Sequence, residues 1–190
     1  ETGSAGSVMT YFPFPDMPRG RPGVGEVGET VFAVPEGSLP FWIERLEKAG
    51  VDGLKSDEAF GERRLHFAGP DGDGFALTEA KGDARPGWTQ GGVGASEAIR
   101  GFHSASLRLR DDGATAELLK YMGYEEVDKA EGVRRFAVAN GNGADVVDIE
   151  TLPSIAPARQ GAGSVHHLAF AVPDRAAQLE VRKALMDTGY

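Results

Sequence analysis

Two adjacent histidines, His166 and His167, are the residues of this chain whose type and placement could do chemistry. Neutral imidazole is a common ligand for divalent first-row metals. The pair lies in Gly161-Ala-Gly-Ser-Val-His-His-Leu-Ala-Phe-Ala-Val172, which Pro173-Asp174 closes. From residue 165 onward this reads as a short apolar strand, and Asp174 is placed to cap the periodic segment behind it. Adjacent side chains of a strand point to opposite faces. One imidazole would then look into a given pocket while the other supports it. The residues alone leave open which is which, and a satisfied structural histidine is the competing reading.

Repetition strengthens the metal reading. The same pattern occurs at Gly101-Phe-His-Ser-Ala-Ser-Leu-Arg-Leu109, and more loosely at Val27-Gly-Glu-Thr-Val-Phe-Ala-Val34. Each copy is followed by a capped amphipathic segment. Phe32, Leu107 and Phe170 fall in register, 75 and 63 residues apart, which is the length of one small structural unit.

The elements that must position these residues follow in order. Residues 7–14 read as a strand that stops at Pro15, and 17–25 as a Pro/Gly/Arg linker. The first complete unit has a strand over 27–34 and Ser38 as N-cap. Leu39, Trp42, Ile43 and Leu46 then recur on one helical face that ends near Gly50. Strands over 64–68 and 75–79 flank a turn at 70–74. The acidic turn Asp71-Gly-Asp73-Gly lacks the spacing and closing glutamate of an EF-hand loop and reads as a plain turn. Residues 82–96 form a linker in which Trp88 is expected to pack against a neighbour.

The second unit opens at Ile99 with a strand carrying His103. Asp111 or Asp112 caps a helix with Ala114, Leu118, Leu119 and Met122 inward, and Gly123 ends it. Strands over 124–127, 134–138 and 144–149 follow, the last two joined by the turn signal Gly141-Asn142-Gly143. A third unit begins after a linker at 153–163 and supplies its strand and a helix with Ala177, Val181, Ala184 and Leu185 inward. The chain reads as cut from something longer.

Composition narrows the partners. The chain has 190 residues, 41% hydrophobic and 26% charged, ordinary values for a globular protein rather than a disordered one. With 29 acidic against 20 basic residues the net charge is −9, and no basic run is present. Nucleic acid and anionic membrane are therefore poor partners. No apolar run approaches the ~18 residues of a membrane span. Cysteine is absent, which excludes thiolate ligands and a cysteine nucleophile and fits an intracellular, cytoplasmic protein.

Several of these pieces carry a family resemblance: Thr10-Tyr-Phe-Pro-Phe14, Arg19-Gly-Arg-Pro-Gly23, Val34-Pro-Glu-Gly-Ser-Leu39 with Phe41-Trp42, Arg45-Leu46, Ala98-Ile-Arg-Gly-Phe-His-Ser-Ala105 and Gly161-Ala-Gly-Ser-Val-His-His-Leu-Ala-Phe170. The chain resembles the vicinal oxygen chelate superfamily of glyoxalases, bleomycin-resistance proteins and extradiol dioxygenases. Within it, the chain is similar to four-module ring-cleaving dioxygenases of hydroquinones or catechols. The resemblance implies an α+β fold of tandem βαβββ modules. It implies the last strand of a preceding module plus linker at 1–25, complete modules at 26–86 and 98–152 with a linker at 87–97, and a linker plus the first strand and helix of a further module at 153–190.

The resemblance also implies Fe(II), with Mn(II) or another divalent metal as alternatives, held by two histidines and one carboxylate. His167 fits the module signature His-x-x-apolar with Phe170, and is the implied ligand. His166 is the second choice. The other two ligands are expected before Glu1 and after Tyr190, and further acid–base residues on the later strands of the last module. The positions equivalent to His167 in the earlier units are Ser104 and Glu29, so the two complete modules are expected to be scaffold. Glu79 and Asp148, on their last strands, read as structural or solvated.

The implied activity is ring cleavage of a small aromatic diol with dioxygen by the full-length protein, the 190 residues alone being inactive. A glyoxalase-like lyase or isomerase, and a metal-free protein that sequesters an aromatic ligand, are the alternatives. Exposed strand edges are expected to favour association, a homo-oligomer among the outcomes.

Overall fold

The computed structural model describes residues 4–189. Two units of the same design run in tandem. The first comprises β1 (Glu26–Val34), α1 (Leu39–Lys48), β2 (Lys55–Ala59), β3 (Glu62–Ala68) and β4 (Gly74–Glu79). The second comprises β5 (Gly101–Leu109), α2 (Gly113–Tyr121), β6 (Glu125–Ala130), β7 (Val133–Ala137) and β8 (Val146–Thr151). A last helix, α3 (Arg175–Asp187), follows. The fold is α+β, as the βαβββ expectation requires.

All eight strands form one sheet in the order β2-β3-β4-β1-β5-β8-β7-β6. The first strand of each unit lies at the centre, where β1 and β5 pair antiparallel. Outward from this seam the halves repeat: β1 runs parallel to β4 and β5 parallel to β8. A flat sheet would hold β3 and β7 five strand spacings apart, about 24 Å. Arg135 of β7 nevertheless bonds Glu62 of β3 at 2.7 Å. The sheet therefore curls, with a polar concave face and a convex face covered by helices.

Alternation along the strands sorts the two faces. Leu65, Leu77 and Val34 point to the convex side, where Leu39 and Trp42 of α1 bury them together with Val93 and Ala98. Phe136, Val147 and Ile149 do the same beneath Ala116 and Leu119 of α2. Trp42 is core, as expected, and its indole N–H donates to the Glu97 carbonyl at 2.8 Å. On α2 the buried small residue is Ala116, whereas Ala114 is exposed. Among the described residues no helix is long and apolar enough to cross a membrane.

Several local expectations need correction. Ser38 stands at the N-cap of α1, but its hydroxyl donates to the Pro35 carbonyl. The orphan N–H of Leu39 goes instead to the Glu79 carboxylate at 3.3 Å. Asp112 makes no side-chain cap, because Arg134 engages it at 2.9 Å, whereas Asp111, the other candidate, accepts from the Gly113 N–H at 3.0 Å. Asp174 does cap its helix, accepting from the Ala177 N–H at 2.9 Å. Residues 7–14 and 165–172 form no strand, and neither joins the ladder of the eight-stranded sheet. Trp88 is exposed rather than packed, and α3 has no buried residue.

Strand β2, Lys-Ser-Asp-Glu-Ala, has no strand-like composition. It exists because Phe60 and Gly61 both take positive φ, 54° and 71°, and turn it back onto β3. That is the backbone of a two-residue type I′ hairpin. Glu131 and Gly132, at 47° and 84°, repeat the device between β6 and β7.

Candidate functional site

The concave face gathers charge from both units. Arg135 donates two hydrogen bonds to Asp148, both 2.8 Å, and a third to Glu62. Arg64 lies 3.6 Å from each of the same two carboxylates. Both guanidinium groups sit over the Phe60 ring, at 4.1 and 5.7 Å. His103 completes the group, with Nε2 3.0 Å from Glu62. A one-residue bulge aims it there: Ser104 pairs with Val31 and Phe102 with Phe32, which leaves His103 unpaired in the ladder. Burial would raise the Glu62 carboxyl, but the hydrogen bonds from His103 and Arg135 hold it down at about 2.

A second histidine, His66 of β3, is held at Nδ1 by Glu29 at 2.7 Å, and its Nε2 lies 3.0 Å from Asp57. The bonded Glu29 raises this imidazole to about 9 against the opposing effect of burial, with Asp57 assisting. His66 stays protonated at neutral pH. Sequence reading passed over His66 and the Arg64–Arg135 group. Their signal was the period-two placement of Arg64 and His66 in a strand whose alternate residues are apolar.

An open cavity of about 680 Å³ adjoins this network, lined in part by Phe60, Glu62, Glu79, Asp83, His103 and Asp145. Its carboxylates are already engaged. Glu79 accepts from Leu39 and pairs with Arg63 at 3.4 Å. Asp83 holds Arg85, and Asp145 accepts from the N–H groups of Asn142 and Gly143. Among the described residues no three His, Asp or Glu side chains converge to hold a metal ion. Glu79 and Asp148 have the structural partners expected of scaffold carboxylates.

His166 and His167 are exposed, on the segment that follows Ser164, and neither lines the cavity beside the ion-paired network. Without a strand pleat they do not point to opposite sides. Their Nδ1 atoms are 2.8 Å apart and their rings meet edge to face. The Phe12 ring packs beside both, with centroids 5.9 Å from His166 and 6.4 Å from His167, and Phe14 stacks on Phe12. The structure thus joins the Thr10–Phe14 motif to the histidine pair. An imidazole donor at this position suits a divalent metal, as one part of a larger ligand set.

No family model matches the chain. Over 97% of its length it superposes on the crystal structure of a Bacillus subtilis protein provisionally described as a dioxygenase, with a TM-score of 0.90 and 34% identity, spanning 59% of that chain. It is 36% identical over its whole length to MhqO of B. subtilis, provisionally named a ring-cleaving dioxygenase, spanning 60% of it. The chlorohydroquinone/hydroquinone 1,2-dioxygenase of Sphingobium indicum is 30% identical, and 61% of it is spanned. These similarities along the whole chain support the resemblance to the vicinal oxygen chelate superfamily and its ring-cleaving dioxygenases. The chain spans about three-fifths of the length of these curated relatives.

Proposed function

We propose that this chain is the scaffold-bearing part of an Fe(II)-dependent dioxygenase that cleaves a hydroquinone or catechol ring, and that His167 is one of its metal ligands. The observation that carries the reading is similarity along the entire chain to a protein named a hydroquinone 1,2-dioxygenase. Iron bound by two imidazoles and one carboxylate would supply adjacent open positions for a substrate oxygen and for dioxygen. The remaining ligands belong, in this reading, to the part of the relatives' length that the chain does not span.

The chain's own residues have three roles here. His167 donates an imidazole nitrogen, and His166, in contact with it, orients the ring, as supporting groups commonly do for a ligating histidine. Phe12 and Phe14 provide an aromatic wall against which a planar diol can lie. The ion-paired concave face keeps its carboxylates and imidazoles occupied, which leaves the metal to the histidine pair. The absence of cysteine supports a cytoplasmic setting with no thiol to compete for the metal.

The test uses the protein extended to the length of its relatives. It is expected to retain iron and to consume dioxygen when given hydroquinone, and His167→Ala to lose the iron while His166→Ala keeps most of it. Full iron retention by His167→Ala would overturn the ligand assignment. Turnover of a thiol adduct without oxygen uptake would favour a lyase or isomerase, and binding of an aromatic ligand with no metal a sequestering protein.

A further inference from the structure

Two stretches read as linkers turn out to be one element. Residues 18–24 and 156–162 run against each other in an irregular ribbon, with bridges Arg19–Ala162, Arg21–Arg159 and Val24–Pro157. Backbone hydrogen bonds of 2.8–3.0 Å join them: Gly20 N–H to Ala162, Arg21 to Arg159 and back, Val24 to Ala156, Ala158 to Val24 and Ala162 to Pro18. The ribbon is also tied to the β3–β4 turn, where Arg19 donates to the Pro70 carbonyl at 3.2 Å.

Glycine makes the approach possible. A Cβ on Gly161 would lie 2.3 Å from the Pro18 carbonyl oxygen and 2.5 Å from the Gly20 nitrogen. One on Gly20 would lie 2.4 Å from Ser164 Oγ. These glycines belong to the two motifs, Arg19-Gly-Arg-Pro-Gly23 and Gly161-Ala-Gly-Ser164, that the function leaves unexplained. Ser164 closes the ribbon by accepting from the Gly161 N–H at 3.2 Å, one residue before the segment that carries His166 and His167. That segment has no ladder of its own, and beyond the ribbon its anchors are ring contacts to Phe12 and, at Phe170, to Tyr124.

We propose that this glycine-laced ribbon positions the His166–His167 segment relative to the eight-stranded sheet, with Gly161 as the positioning residue. The word ligand for His167 rests on the dioxygenase reading, whereas the mechanical claim does not. A side chain at residue 161 pushes the two backbones apart, frees residues 165–172 and leaves both helix-covered cores intact.

The decisive experiment is amide hydrogen exchange on this chain, native against Gly161→Ala. The expected result is at least tenfold faster exchange at Arg21, Val24, Arg159 and Ala162 with Leu77 and Phe136 unchanged, together with loss, across 165–172, of the proton–proton NMR contacts between the Phe12 ring and the rings of His166 and His167. Should Gly161→Ala fail to fold, Ser164→Ala removes one ribbon bond without a clash and is expected to shift the same amides by a smaller factor. Opening of the ribbon with 165–172 unaffected would overturn the proposal. In the relative-length protein the same variant is expected to weaken iron affinity at least tenfold with an unchanged midpoint of sheet unfolding. If the native long protein holds no iron, the dioxygenase reading falls, and the exchange result alone decides the ribbon's role.

Discussion

The two halves of the sheet share a frame and differ at one decisive pair. In the second half Arg135 of β7 faces Asp148 of β8 and forms a two-pronged ion pair. At the matching place in the first half, Arg64 of β3 faces Thr78 of β4. Arg64 therefore has no carboxylate on the facing strand; it lies between Glu62 of its own strand and Asp148 across the cup. One buried carboxylate serves both guanidinium groups, and Phe60 lies against the two of them. A duplicated unit has thus become asymmetric, and the asymmetry binds its copies together.

Removing the shared carboxylate tests this most severely. Asp148→Ala leaves two buried guanidinium groups short of an anion and is expected to cost about 3–5 kcal/mol, read from urea unfolding. A loss near that of an exposed pair would show that Arg64 and Arg135 do not depend on it. Thr78→Asp, which would give the first half its own pair, is expected to recover about 1–3 kcal/mol in the Asp148→Ala background. No coupling between the two changes in a double-mutant cycle would break the comparison.

Titration separates two groups on β3 of the first half. The Glu62 carboxyl, held at about 2, contributes stability that is complete above its ordinary value and lost as pH falls through about 2. His66, raised to about 9, acts in the opposite direction: its contribution is complete below its ordinary value and disappears as pH rises through about 9. His66→Gln should flatten the alkaline limb of the stability profile and leave the acid limb in place. An unchanged alkaline limb would remove His66 from the account. The smallest effect is expected at Asp112→Ala, below about 1 kcal/mol, because Arg134 keeps Glu126 as a partner. A larger loss by thermal unfolding would mean that Asp112 supports α2 after all.

The convex side of the molecule was legible in the sequence because apolar periodicity reports burial directly. Leu39, Trp42 and Leu46 marked α1, and the paired strands followed from Leu65 and Leu77. Strand β2 was not legible, since five polar or small residues become a strand only through pairing with β3. Its turn hid as well, for Phe60-Gly61 lacks the Asn-Gly signature of such hairpins. The capping serine was misleading because Pro40, at the second helical position, offers no N–H and the Ser38 hydroxyl donates backward to the Pro35 carbonyl, while Glu79 takes the first N–H of the helix from far along the chain. At the histidine pair, residue type and motif were readable but orientation was not. Orientation depends on neighbours that alternation alone does not supply.

The outermost strands carry a different consequence. β2 and β6 present Lys55, Asp57, Glu58, Glu125, Glu126, Asp128 and Lys129 as exposed residues along the two outer strands. Strand β6 also breaks its register between Glu126 and Asp128. Charge and irregularity of this kind make a margin a poor template for another chain. A unit that associates by laying strand beside strand has in principle no reason to stop, and could build a ribbon of indefinite length. Here the seam between β1 and β5 joins two units, while the charged opposite margins disfavour the addition of another strand. Further growth of the sheet by strand-to-strand addition is thus disfavoured at its perimeter, far from the residues that join its halves.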